Sequence, residues 1–183
     1  GENPKSVYND RDETPITRMA TAAMIREGLA KAQRYQQELD FAESDPDEHM
    51  PDYDAKSEAL LPLLERDVKA HFHCHRADDI CTAIRIAKEF NLDYVIIHGT
   101  EGHLIADILA EENAPVIAGP ILCDRCKPEM QHLTISGPSI MQKAGVKLAL
   151  CTDHPVIPIQ YLPTTAALAV KGGMQREDAL YAI

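Results

Sequence analysis

The feature that most constrains this chain is a change of texture after Arg66: four short runs of β-branched and aliphatic residues, each followed by a segment of helical spacing. The runs are VKAHF (68–72), DYVII (93–97), APVIAG (114–119) and VKLAL (146–150). Between them, Ile80, Ala83, Ile84 and Ala87 recur on one helical face, as do Ile105, Ile108 and Leu109. Apolar runs without alternation, separated by single helices, predict a parallel sheet covered by helices, and so an α/β fold. A flavodoxin-like layered sheet satisfies the same periodicity.

Upstream of residue 66 the pattern is helical. Thr14-Pro15 reads as a helix start, a capping hydroxyl followed by proline at the first helical position. Ile16, Met19, Ala20, Ala23 and Met24 then recur at helical spacing, which predicts one long amphipathic helix to about Leu39. The acidic stretch DFAESDPDEHMPDYD, with Pro46 and Pro51, reads as a solvated loop before a short helix through Leu60, Leu61 and Leu64. The chain therefore divides into a helical region with an acidic loop (1–65) and a run of β/α units (66–183), taken together as one partial domain.

Each of the four apolar runs leads into residues of metal-binding type. HFHCHR closes the first, HGTEGH the second and CTDHP the fourth, while CDRC comes a little after the third. In parallel α/β folds the C-terminal strand ends form the active-site face, so His, His and Asp repeated there point to a metal centre. His71, His73 and His75 alternate, and in an extended segment all three imidazoles project on one face. His98 follows at the end of the next run and would meet them. Asp153 follows the apolar LALCT, where a buried carboxylate needs a cation or hydrogen-bond donors; the competing reading is a simple cap.

Other polar residues in these loops are read as substrate contacts or alternative ligands: His71, His75, Arg76, Glu101, His103 and His154. Glu101 and His103 serve equally well as the start of the next helix. Cys123 and Cys126 form a single CxxC followed by Lys127-Pro128, a weak signal for zinc or redox chemistry without a second pair.

Composition narrows the partners. A net charge of −11, from 29 acidic and 18 basic residues, argues against nucleic acid or an anionic membrane and leaves a small polar molecule as substrate. No apolar stretch reaches the roughly 18 residues of a membrane span. Five cysteines scattered through apolar segments fit reduced thiols, which points to the cytoplasm. The 183 residues fall short of the roughly 250 of a complete (β/α)8 barrel, and EDALYAI stops within a helical pattern. The chain is expected to be a fragment.

The segments HCHRADDICTAIRIAKEFNLDYVIIHGTEGHLIADILAEENAPVIAGPIL and KLALCTDHPVIPIQYLPTTAALAVKGGM resemble the imidazolonepropionase-related branch of the amidohydrolase superfamily. The resemblance implies part of a (β/α)8 barrel, strands 5 to 8 with their helices, and a divalent metal, zinc with iron or manganese as alternatives. It implies His73 as the strand 5 ligand, with His71 or His75 able to replace it, His98 as the strand 6 ligand, and Asp153 as strand 8 ligand and general base. It also implies hydrolysis of a non-peptide carbon–nitrogen bond. The family's His-x-His pair of strand 1 has no counterpart here, and Glu2 stands as a remnant of the fourth strand end. A half-barrel exposes apolar edges, so self-association or association with the missing half is expected. The rival readings are a catalytically incomplete fragment, a structural metal-binding or oligomerising module, and thiol chemistry at Cys123 and Cys126.

Overall fold

The computed structural model describes residues 2–45 and 47–183, the side chains of Glu2 and Asn3 excepted. Its helices are α1 (Glu2–Asn9), α2 (Arg18–Ser44), α3 (Ala55–Glu58), α4 (Leu61–Leu64), α5 (Ala77–Glu89), α6 (Ala106–Glu111), α7 (Gly137–Lys143), α8 (Leu162–Lys171) and α9 (Arg176–Tyr181). Its strands are β1 (Ala70–Cys74), β2 (Tyr94–His98), β3 (Val116–Ala118) and β4 (Leu148–Leu150). All four predicted strands are present, two of them trimmed to three residues. The residues form two compact units, one of Pro4–Ala70 with Ile86–Asp93, the other of residues 2–3 with His71–Arg85 and Tyr94–Ile183.

The first unit is built around α2. Thr17, extended at φ −133° and ψ 157°, caps it by accepting the Ala20 amide at 3.0 Å, so the helix starts after Thr17 and not at the Thr14-Pro15 expected. It also runs past Leu39 to Ser44, taking in the first five residues of the stretch read as loop. Leu29, Ala32 and Tyr35 are its buried residues. Tyr35 donates its hydroxyl proton to Glu58 of α3 at 2.7 Å, and Lys31 pairs with Asp54, the N-cap of α3, at 2.6 Å. The leucine-rich helix expected next is two single turns, α3 and α4. Glu2 lies at the start of α1, and its side chain falls outside the described residues.

The second unit carries the sheet, in the order β1-β2-β3-β4. β2 pairs with β3 and β3 with β4 in parallel, placing His98, Ala118 and Leu150 in one row at the C-terminal edge. Ile80, Ile96, Leu109, Val116, Met141 and Leu150 belong to one buried cluster, which the helices close over the sheet as crossover connections require. Of the faces read from sequence, that of α5 is buried throughout, whereas Ile108 on α6 is 38% exposed. Because α6 is only six residues long, its apolar face is narrower than the spacing suggests. Parallel order with helical crossovers establishes the α/β class and is compatible with part of a TIM-like barrel.

At β4 the backbone comes close to its neighbour. Gly119, just past β3, has φ +140°, and a Cβ there would lie 2.1 Å from the carbonyl oxygen of Cys151. Only glycine fits this position.

Candidate metal centre

The C-terminal edge of the sheet gathers three imidazoles. β1 ends in AHFHC and, continuing extended, delivers His73 and His75 to the same side two residues apart. β2 ends in YVIIH and delivers His98 from the next strand. One ligand atom from each of His73, His75 and His98 lies within 4.8 Å of the other two. The His75 and His98 rings stack with centroids 4.6 Å apart and an interplanar angle of 11°, and the His73 ring meets His98 edge-on at 4.4 Å. His75 and His98 are buried and His73 is exposed, so the cluster opens to solvent on the His73 side.

Hydrogen bonds fix which nitrogens face inward. His98 Nδ1 lies 2.7 Å from the Gly119 carbonyl oxygen, which can only accept, so this nitrogen carries the proton. His98 Nε2 is thereby turned to His73 Nδ1, 3.0 Å away. His75 Nδ1 is 2.8 Å from Thr100 Oγ1. Burial, then the neighbouring charges of His98 and His73, push the His75 pKa down to about 3, so the ring is neutral at ordinary pH. Desolvation by its neighbours, then His98, lower His73 as well. A neutral imidazole such as that of His75 is a good metal ligand.

The donor set fits a divalent ion. Imidazole nitrogens hold zinc at about 2.0–2.1 Å, which sets two nitrogens on one tetrahedral ion about 3.3 Å apart. The 3.0 Å between His98 Nε2 and His73 Nδ1 is close to that spacing. The carbonyl of Gly119 behind His98 supplies the outer hydrogen bond that metal-bound histidines ordinarily have.

The other residues singled out from sequence divide sharply. Asp153 is exposed and lies in a turn beyond β4, with its carboxylate outside the histidine cluster, although its charge acts on His73. The apolar strand does not bury it, because the chain turns at Thr152, which is itself 2% exposed. His98 and Asp153 both have left-handed backbones, φ 76° and φ 56°, a conformation costing a non-glycine residue about 1–3 kcal/mol and concentrated at functional sites. His71 is exposed and outside the cluster, so the three-histidine face expected of the first strand is completed by His98 instead.

Arg76 is held by Asp78 in a forked pair, both N–O distances 2.9 Å. Glu101 is 8% exposed and structural in its contacts: Oε2 accepts the Ala77 amide at the start of α5 at 2.8 Å, and Oε1 lies 2.7 Å from His132 Nδ1. It thus caps α5, the helix before its own strand and not the one after it. His103 donates to the Thr100 carbonyl at 3.0 Å, and exposed His154 accepts the Ile159 amide at 3.3 Å; both close local turns. Cys123 donates to the Pro120 carbonyl at 3.3 Å, and burial raises its pKa, so Cys123 is not an activated thiolate.

Sequence reasoning missed Glu129. It lies in a short 3-10 turn, Pro128–Met130, 1% exposed, with Oε1 3.8 Å from His75 Nε2. Nothing in CKPEMQH marks it, because burial here depends on how the loop after β3 folds back over the strand ends.

A search of family models found no match, and no curated protein matches. Among solved structures, the chain superposes on a crystal structure from Thermotoga maritima MSB8 with a TM-score of 0.94 and 44% sequence identity over 98% of this chain. That protein is an amidohydrolase. The chain spans 47% of its length. Among the described residues, no helix is long and apolar enough to cross a membrane.

Proposed function

We propose that this chain forms the strand 5 to 8 half of a (β/α)8 amidohydrolase barrel of the imidazolonepropionase-related branch, and that the parent protein hydrolyses a non-peptide carbon–nitrogen bond of a small molecule. The observation that carries the reading is the cluster of His73, His75 and His98 at the C-terminal edge of a parallel sheet. It is supported by 44% identity with an amidohydrolase over 98% of the chain.

His73 and His98 would hold the divalent ion, zinc by preference and iron or manganese otherwise, with His75 as third ligand. When bound, such an ion acts as a Lewis acid toward the substrate carbonyl or imine and acidifies a water. Gly119 keeps the His98 ring in the ligating tautomer through its carbonyl. Thr100 fixes the His75 ring. Asp153, exposed beyond β4 and acting by its charge on His73, would take a proton from the attacking water and return it to the leaving nitrogen, which suits a cyclic amide, amidine or acylamino substrate. Five free thiols suit a reducing compartment such as the cytoplasm. The chain would complete its site by associating with a half-barrel that supplies strands 1 to 4, or with a second copy of itself.

The test is amine or ammonia release from a panel of cyclic amides, amidines and acylamino compounds. The zinc-loaded chain would be assayed alone and mixed with a half-barrel supplying strands 1 to 4. Turnover that a chelator abolishes and that falls about 10²- to 10⁴-fold in Asp153→Asn supports the reading. A mixture without turnover, or one indifferent to chelator, overturns it.

A further inference from the structure

We propose that Glu101 is a positioning residue of the metal centre: from the loop after β2 it holds the main chain that follows His75 and so sets where that imidazole stands, an inference that rests on the metal-site reading above. The Glu101 amide donates to the His75 carbonyl at 2.8 Å. Its Oε2 accepts the Ala77 amide at 2.8 Å. Both peptide groups between His75 and Ala77 are thus tied to one residue of the neighbouring loop.

The rest of that loop grips the same histidine. The Gly99 amide donates to the Cys74 carbonyl at 2.9 Å, which holds the peptide group before His75. Thr100 Oγ1 lies 2.8 Å from His75 Nδ1 and holds the ring. β1 ends at Cys74, so His75 stands beyond the strand, at the turn into α5, and takes its position from residues 99–101. These follow His98 directly, so two ligands of the cluster are referenced to each other through a few residues of backbone.

The contacts exceed what a helix cap requires. A cap needs one oxygen, ordinarily from a short polar side chain at the helix start. Glu101 reaches Ala77 from 24 residues away and uses its own amide as well. It is 8% exposed, and a carboxylate taken out of water needs donors. Oε2 has the N-terminal end of α5, where the helix dipole favours a negative charge. Oε1 accepts His132 Nδ1 at 2.7 Å. Because His132 lies between β3 and α7, one side chain links the segments after β1, β2 and β3. What this linkage adds to a cap is a fixed ligand, and ligands held to within about 0.5 Å of their geometry are the ones that bind well.

Cobalt(II) titration of the intact chain, read by affinity and by visible d–d absorption, tests this through a double-mutant cycle with His75. Wild type is expected to bind about one equivalent. Glu101→Ala should weaken cobalt binding by about tenfold or more and change the d–d envelope, because His75 has lost its support. In a His75→Ala background the same substitution should alter affinity by no more than about twofold, since no ring is left to position. Equal losses in the two backgrounds would assign Glu101 to the fold at large and overturn the inference. A Glu101→Ala protein with wild-type affinity and envelope would overturn it too. If His75→Ala binds too weakly to titrate, the envelope of Glu101→Ala decides, and an unchanged one overturns the inference. A wild type that takes up no cobalt would instead overturn the metal-site reading itself. Should Glu101→Ala fail to fold, Glu101→Asp enters the same cycle with the same outcomes, its shorter side chain unable to reach Ala77 and His132 together.

Discussion

His98 gives its Nδ1 proton to the carbonyl of Gly119 at 2.7 Å, and this one bond decides which nitrogen of the ring faces His73. His98 ends β2 and Gly119 follows β3, and the two strand ends are aligned by the pairing of His98 with Ala118. Gly119 is itself confined to glycine by the Cys151 carbonyl, 2.1 Å from where a Cβ would stand. The orientation of a candidate ligand is thus enforced from behind by close contact between β3 and β4.

Gly119→Ala should therefore damage both stability and metal binding. The added methyl meets backbone, and φ +140° is unfavourable for any L side chain, so the cost should exceed about 1 kcal/mol. Loss of the carbonyl's position should lower zinc affinity about 10- to 100-fold, the usual effect of removing an outer-shell partner. Thermal unfolding and competition titration of zinc check the two effects separately.

His71 and His73 look equivalent in sequence and are not in structure. His73 has its Nδ1 3.0 Å from His98 Nε2, whereas His71 is exposed and outside the cluster. His71→Ala should keep wild-type zinc affinity, while His73→Ala should lose at least tenfold. Isothermal titration of both variants checks this; equal losses would mean the first strand is registered differently.

The α/β class and the four strands could be read directly from sequence, because buried parallel strands are written as unbroken apolar runs. The candidate ligands were legible for the same reason: polar residues of one type ended strand after strand. What sequence did not show was contact made by folding back. Which histidine of HFHCH meets His98 depends on where β1 ends, and Glu129 comes to 3.8 Å from His75 Nε2 only through the loop after β3. Glu101 caps α5 through Ala77, which lies 24 residues earlier in the chain. The start of α2 falls at Thr17 and not at Thr14-Pro15 because it is the Thr17 hydroxyl that accepts the Ala20 amide.

Acid should expose the role of Asp54. Its hydrogen bond with Lys31 first, then Ser57, lowers its pKa from 3.8 to about 2. A folded-state pKa below the unfolded one means stability that is present above pH 4 and is lost as pH falls through the window from 3.8 toward 2. The stability gap between wild type and Asp54→Asn should accordingly be largest near neutrality and shrink across that window, as followed by urea unfolding at stepped pH. A gap independent of pH would show that the carboxylate charge is not what Lys31 and Ser57 recognise.

Thiol labelling distinguishes buried from reactive cysteines. Burial pushes Cys74 up to about 12 and raises Cys123 and Cys151, so these three should label slowly at pH 8. Exposed Cys126 should label fastest. A rapidly reacting Cys123, resolved by mass spectrometry of the labelled peptides, would instead revive thiol chemistry at the CxxC.

The central claim, that His73, His75 and His98 hold a divalent metal, is tested most directly by elemental mass spectrometry of the purified protein beside its His98→Ala variant. Near-stoichiometric zinc, iron or manganese in wild type, lost in His98→Ala, is the expected result. Protein that carries no metal and takes up none on zinc titration, or a His98→Ala variant that keeps a full complement, would contradict it.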